Sequence, residues 1–147
     1  MTDDDGHPSI LFSDRQSGSV DLDRLEALAR ATLLGEGLGR AELSVSLVEE
    51  EEIEELHVRF MDEPGPTDVL SFPLGEDDVD EDDVRVLGDV VICPAVAGRN
   101  NPSDPEAEIR LLLVHGILHL LGYDHEDDEE RAAMWERQER YSGVRVP

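Results

Sequence analysis

The chain has 147 residues, with 37 acids set against 12 arginines and no lysine, a formal net charge of −25. That balance opposes a broad nucleic-acid-binding face, which leaves a basic footprint; it predicts a solvating acidic surface, with arginines gathered locally at any site, and would also suit a high-salt interior that screens self-repulsion. Hydrophobic residues make up 39%, so the chain reads as one domain over 1–147 with a core of its own. No apolar run reaches the length of a membrane span, and the acidic start Met1–Gly6 lacks the basic and apolar regions of a signal peptide. The expected location is therefore cytoplasmic, and the single Cys93 excludes an internal disulfide.

In chain order, 1–8 reads as disordered and Ser9–Ser13 as a first strand. Asp21 is placed to cap a helix, with Val20 and Leu25 as a hydrophobic staple. Leu22, Leu25, Leu28, Ala29 and Leu33 mark one face of that helix, and Gly35, Gly37 and Gly39 break it. Leu43, Val45 and Leu47 alternate with serines, the pattern of a half-buried strand. Ile53, Leu56, His57 and Phe60 fall on one face of a second helix, whose first turn carries Glu49–Glu52, where the helix dipole favours acid. His57 reads as a packed core-edge histidine and not as a ligand. Pro64-Gly65-Pro66 turns into a strand over Asp68–Phe72. The acidic stretch 75–83 lacks the EF-hand ligand pattern and reads as a hairpin connection. Val86–Cys93 returns as an apolar strand interrupted by Asp89, expected to pair with a backbone or arginine donor. A short helix begins at Pro94. Ser103 and Glu106 fit a capping box for a helix over 104–121, and Glu126–Glu130 open a last helix running to Tyr141, in which Met134 and Trp135 read as packing residues. The order β-α-β-α-β-β-α-α-α predicts an α+β fold: a small mixed sheet covered by helices, with the 104–121 helix, apolar nearly all round, buried in the middle.

That helix carries the chemistry. Three of the five histidines lie within His115-Gly116-Ile117-Leu118-His119-Leu120-Leu121-Gly122-Tyr123-Asp124-His125. His115 and His119 share a helical face, and Gly122 permits the turn that returns His125 toward them. Two histidines on a buried helix need partners: each could be a core residue bonded to a carbonyl, but a metal supplies one partner to both, and three histidines at this spacing favour the metal. Three imidazoles with a free fourth position make an open zinc site. The H-x3-H-x5-H spacing is also that of metzincin peptidases, which place glutamate, their general base, directly after the first histidine. Here that residue is Gly116, which argues against peptide hydrolysis and, lacking a side chain beside the metal face, would let backbone or substrate approach closely.

The run HGILHLLGYDH resembles the signature of the YbeY-type bacterial endoribonucleases, the rRNA maturation factors. Pro66–Pro73 (PTDVLSFP) and Leu87–Cys93 (LGDVVIC) resemble two further stretches of that family, in the same order. The resemblance implies a zincin-like α+β fold with a metal-binding central helix. It implies hydrolysis of single-stranded RNA, in 3′-end maturation of the small-subunit (16S) rRNA and in ribosome quality control. The residues it carries over are His115, His119 and His125, ligands of one zinc ion per chain. Its expected partners are single-stranded RNA, the small ribosomal subunit and, by the same resemblance, an Era-type GTPase and a small-subunit ribosomal protein, with no membrane. Many members carry an arginine, thought to touch RNA phosphate, five positions before the Pro-Thr pair. Here that position is Met61, and Arg59 is the candidate catalytic replacement, its alternative being a solvent-facing arginine. Two other readings stand beside this one: a non-catalytic zinc-binding ribosome-assembly adaptor, which the acidity keeps open, and a metzincin-like peptidase.

Overall fold

The computed structural model describes residues 8–63, 65, 67–74, 84–123 and 127–144. The acidic stretch 75–83, residues 1–7 and His125 lie outside the described residues; Pro8, the last residue of the stretch read as disordered, is buried. The elements are β1 (Ser9–Arg15), α1 (Leu22–Gly35), β2 (Ala41–Val48), α2 (Glu50–Met61), β3 (Val69–Pro73), β4 (Arg85–Ile92), α3 (Pro94–Asn100), α4 (Pro105–Leu120) and α5 (Asp128–Ser142). They give the α+β class expected, with a mixed four-stranded sheet in the order β1-β2-β4-β3. β2 runs parallel to both β1 and β4, and only β3 is antiparallel, against β4.

The alternation in β2 does what it predicts. Ala41, Leu43, Val45 and Leu47 are buried, while Glu42, Ser44 and Ser46 are partly open. Along β4 the alternation is interrupted once. The register against β2 shifts between Glu42 and Leu43, so that Leu87 is left over between Val86 and Gly88. One extra residue switches which face the side chains meet, and so Leu87 and Val90 reach the same core. Gly88 makes the bulge possible: its φ is +130°, and a Cβ there would lie 2.2 Å from the Phe72 carbonyl oxygen. The glycine in Leu87-Gly88-Asp89 is thus a backbone requirement.

One face of the sheet is covered by α1 and α4, in a core that includes Leu25, Leu33, Leu43, Val45, Val90, Leu113 and Ile117. Asp21 caps α1 by accepting from the Arg24 amide at 3.1 Å, as its position before the apolar run predicts. The other face carries a smaller cluster of Val48, Ile53, Leu70, Val91, Cys93 and Val96. A third cluster joins Val114 and Leu118 of α4 to Met134 of α5. α4 is therefore enclosed by the sheet on one side and α5 on the other. Each fully buried leucine or isoleucine it contributes is worth roughly 1.5–3 kcal/mol.

Three expectations are corrected. The cap of α4 is Asp104, which accepts from the Ala107 amide at 3.1 Å, while the Ser103 hydroxyl donates to Asn101 Oδ1 instead. A carboxylate one residue nearer the Pro105 start has the better geometry and also complements the dipole. Asp89 does not interrupt the core: it is exposed, and among the described residues no hydrogen bond or ion pair engages its side chain. Its neighbour across the open sheet face, Arg15, is engaged by Glu52 at 2.6 Å. Phe60, placed on the buried face of α2, is 58% exposed: of that face α2 buries only Ile53 completely. Phe60 meets Phe72 edge to face, with centroids 5.4 Å apart.

Candidate metal centre

α4 brings His115 and His119 together as their four-residue spacing requires. Their Nε2 atoms are 3.1 Å apart and their rings meet edge to face. Two histidine nitrogens bound to one tetrahedral zinc, each about 2.0–2.1 Å from it, would sit about 3.3 Å apart. The pair therefore has the separation of two ligands on a shared ion. Both side chains are partly buried. The Nδ1 of His115 points away from His119 and donates to Gln138 Oε1 on α5, at 2.8 Å. Trp135, one turn earlier on α5, approaches the His115 ring at 6.2 Å; with Met134 fully buried, both residues pack as expected.

Past Leu120 the chain turns as predicted. Leu121 is the C-cap and Gly122 takes φ +100°. The Tyr123 amide donates back to the Leu118 carbonyl at 3.0 Å. Tyr123 is then held from the side. Its hydroxyl donates to Glu36 Oε1, and that of Tyr141 donates to Glu36 Oε2, both at 2.6 Å. The Arg137 guanidinium lies 3.4 Å from the same carboxylate and over the Tyr123 ring. Glu36, only 10% exposed, thus ties the end of α1 to the turn and to α5. Burial, and then the bond to Glu36, pushes the Tyr123 hydroxyl up to about 12. Two residues further comes His125, outside the described residues. Among the described residues, no group of three or more histidine, cysteine, aspartate or glutamate side chains is placed to hold a metal; α4 itself supplies two donors.

Gly116 is not where the sequence puts it. It faces the sheet and not the metal side. A Cβ at 116 would lie 2.7 Å from Val90 Cγ1 and 3.2 Å from Ser71 Oγ, and the Ser71 hydroxyl donates to the Gly116 carbonyl at 3.4 Å. The residue is glycine because α4 presses against β3 and β4, and a glutamate there would have to force the helix off the sheet.

The remaining candidates are elsewhere. His57 is bonded through Nδ1 to the Gly65 carbonyl at 2.9 Å, and its Nε2 lies 3.2 Å from Glu63, the packed, non-ligand role expected of it. Arg59 is exposed on α2, beside Glu51, Glu54, Glu55 and Val58, with its guanidinium 5.8 Å from the Phe60 ring. No described contact joins it to the histidine pair. The arginines are not gathered at one site: eight form ion pairs with acids, and among the described residues Arg40, Arg59 and Arg85 do not. Two residues of the site escaped the sequence reading, Gln138 and Glu36. The available signal for Gln138 was its place four residues after Met134 on α5. For Glu36 there was none, since a helix-end glutamate ordinarily faces water.

The chain is similar to known proteins over most of its length. The family profile described as Endoribonuclease YbeY matches residues 12–143. An endoribonuclease YbeY of Frankia alni is 47% identical over 143 residues, covering 88% of this chain and 79% of that protein. One of Acidothermus cellulolyticus is 50% identical over 127 residues, covering 76% and 77%. The solution structure of TM1509 from Thermotoga maritima superposes with a TM-score of 0.66 at 36% identity, covering 90% of this chain and 86% of that one.

Proposed function

This chain belongs to the endoribonuclease YbeY family, hydrolases acting on RNA, and from that premise we propose that it cleaves single-stranded RNA at a centre where His115, His119 and His125 hold one zinc ion. The observation that carries the proposal is the opposed Nε2 pair on α4, 3.1 Å apart, with the His115 Nδ1 proton already engaged by Gln138. When bound there, zinc supplies Lewis acidity toward a phosphoryl oxygen.

The chain's own residues do the rest. α4, enclosed by sheet and α5, holds two imidazoles rigidly, and the Tyr123–Glu36 bond anchors the turn that leads to His125. Gly116, turned to the sheet, leaves no carboxylate beside the first histidine, which speaks against peptide hydrolysis by the metzincin route. Arg59, exposed and outside any described ion pair, is free to meet a phosphate and is proposed to stand in for the arginine absent at Met61. So few unpaired cations on a chain of net charge −25 call for few phosphate contacts, hence a shallow salt dependence. We read the chain as one domain of zincin-like fold with α4 as its metal helix, working in the cytoplasm. By family resemblance its setting is 3′-end maturation of small-subunit rRNA and ribosome quality control, with the small ribosomal subunit, an Era-type GTPase and a small-subunit ribosomal protein as partners.

The test incubates zinc-loaded protein with unstructured RNA, duplex RNA and casein, beside the His115→Ala variant, with metal content measured on both. Cleavage of unstructured RNA alone, lost with the metal in the variant, is the expected result. Equal RNA cleavage by the variant would identify a contaminating nuclease and favour the adaptor role. Casein cleavage lost in the variant would restore the peptidase reading.

A further inference from the structure

α5 buries three residues at successive turns, Met134, Gln138 and Ser142. Met134 packs on Val114 and Leu118 as an apolar stripe should. Gln138 does not fit that pattern: a glutamine only 3% exposed at the centre of a helix-helix seam carries a desolvation cost that a leucine would not. Its side-chain oxygen accepts from His115 Nδ1 at 2.8 Å, and its backbone carbonyl accepts from the Ser142 hydroxyl at 2.6 Å.

We propose that Gln138 is a positioning residue for the metal centre, setting the tautomer and ring orientation of His115 from α5. The inference rests on the zinc reading of His115 and His119. A neutral imidazole has one N–H and one lone pair. With its proton on Nδ1 and directed at Gln138 Oε1, His115 presents the lone pair at Nε2, the atom facing His119. Without an acceptor at 138, the bond that favours the Nδ1–H form is lost, and placement of the proton on Nε2, which occupies the ligating lone pair, competes with metal binding. Outer partners of ligating histidines are worth about 10- to 100-fold in metal affinity. An amide does this without charge. A carboxylate at the same place would also make the imidazole more basic and the ligand stronger.

The experiment measures zinc affinity of the full chain by competition with a chromogenic chelator, together with the melting temperature of the metal-free form. Gln138→Leu keeps the volume and removes the acceptor; it should weaken zinc binding by about 10- to 100-fold while the metal-free protein still melts cooperatively. Gln138→Glu should bind zinc more tightly than the native chain. A core residue with no bearing on the metal would give neither ordering. Native affinity in a folded Gln138→Leu protein would overturn the proposal, as would unchanged or weaker affinity in Gln138→Glu, which decides the matter if the leucine variant does not fold. His115→Ala in the same titration separates the two levels. Native zinc affinity there removes the metal site itself, whereas loss there with native affinity in Gln138→Leu removes only the role of Gln138.

Discussion

His57 and His115 look alike one at a time. Each sits on a helix, each is partly buried, and each has Nδ1 bonded to a carbonyl-type oxygen, Gly65 O at 2.9 Å for one and Gln138 Oε1 at 2.8 Å for the other. They differ at the second nitrogen. The Nε2 of His57 faces the carboxylate of Glu63, a side chain 68% exposed, whereas that of His115 faces the Nε2 of another histidine. A carboxylate satisfies an N–H or an imidazolium locally. Two opposed ring nitrogens can share one proton or present two lone pairs to one cation. The supports differ as well. α2 is anchored at Ile53 and ends beside exposed Phe60 and Met61, while α4 is enclosed along its length by the sheet and α5. A histidine's surroundings, more than its spacing from apolar residues, decide whether it can serve as a ligand.

The comparison breaks most visibly on substitution of each side. His119→Ala should abolish zinc binding and reduce RNA cleavage by several orders of magnitude, while His57→Ala should leave metal content and cleavage close to native; metal analysis and a turnover assay on both proteins check this. Loss of zinc in His57→Ala would mean that the two histidines do not differ in the way their neighbours indicate.

A smaller effect probes the support beneath α4. Gly116→Ala should destabilise the fold by about 1–3 kcal/mol, since its Cβ meets Val90 Cγ1 at 2.7 Å and the strand must yield. Denaturant unfolding measures it. In combination with Val90→Ala the loss should fall short of the sum of the single variants, because the two side chains then fit one space. Additive losses would show that the helix is not seated on β4 through this contact.

The smallest expected effect concerns the turn that carries the chain toward His125. Burial and Glu36 keep the Tyr123 hydroxyl protonated to about 12, against an ordinary value of 10. The raised value makes this contribution complete below pH 10 and removes it as the pH climbs from about 10 to 12. Melting temperatures between pH 8 and 12 should therefore fall less steeply in Tyr123→Phe than in the native protein. Parallel curves would mean that the turn is held by packing alone.

Much of this protein was legible in its amino-acid order, because many of its features are local. Helix-period and strand-period apolar patterns placed the nine elements within a few residues, the Asp21 cap and the Gly122 turn are properties of short segments, and a four-residue spacing puts His115 and His119 on one face in any α-helix. What the order could not decide depends on residues far apart in the chain. Phe60 is exposed because its end of α2 finds only the edge of the Phe72 ring to pack on. Gly116 is glycine because Val90 lies against it, and Gln138 meets His115 only because α5 folds back across α4. Glu36 finds its two tyrosines 87 and 105 residues away. The alternation of a strand or the face of a helix says which side chains point inward, but the partner each one meets there is set by how the layers stack, and that is settled by the packing of the whole chain.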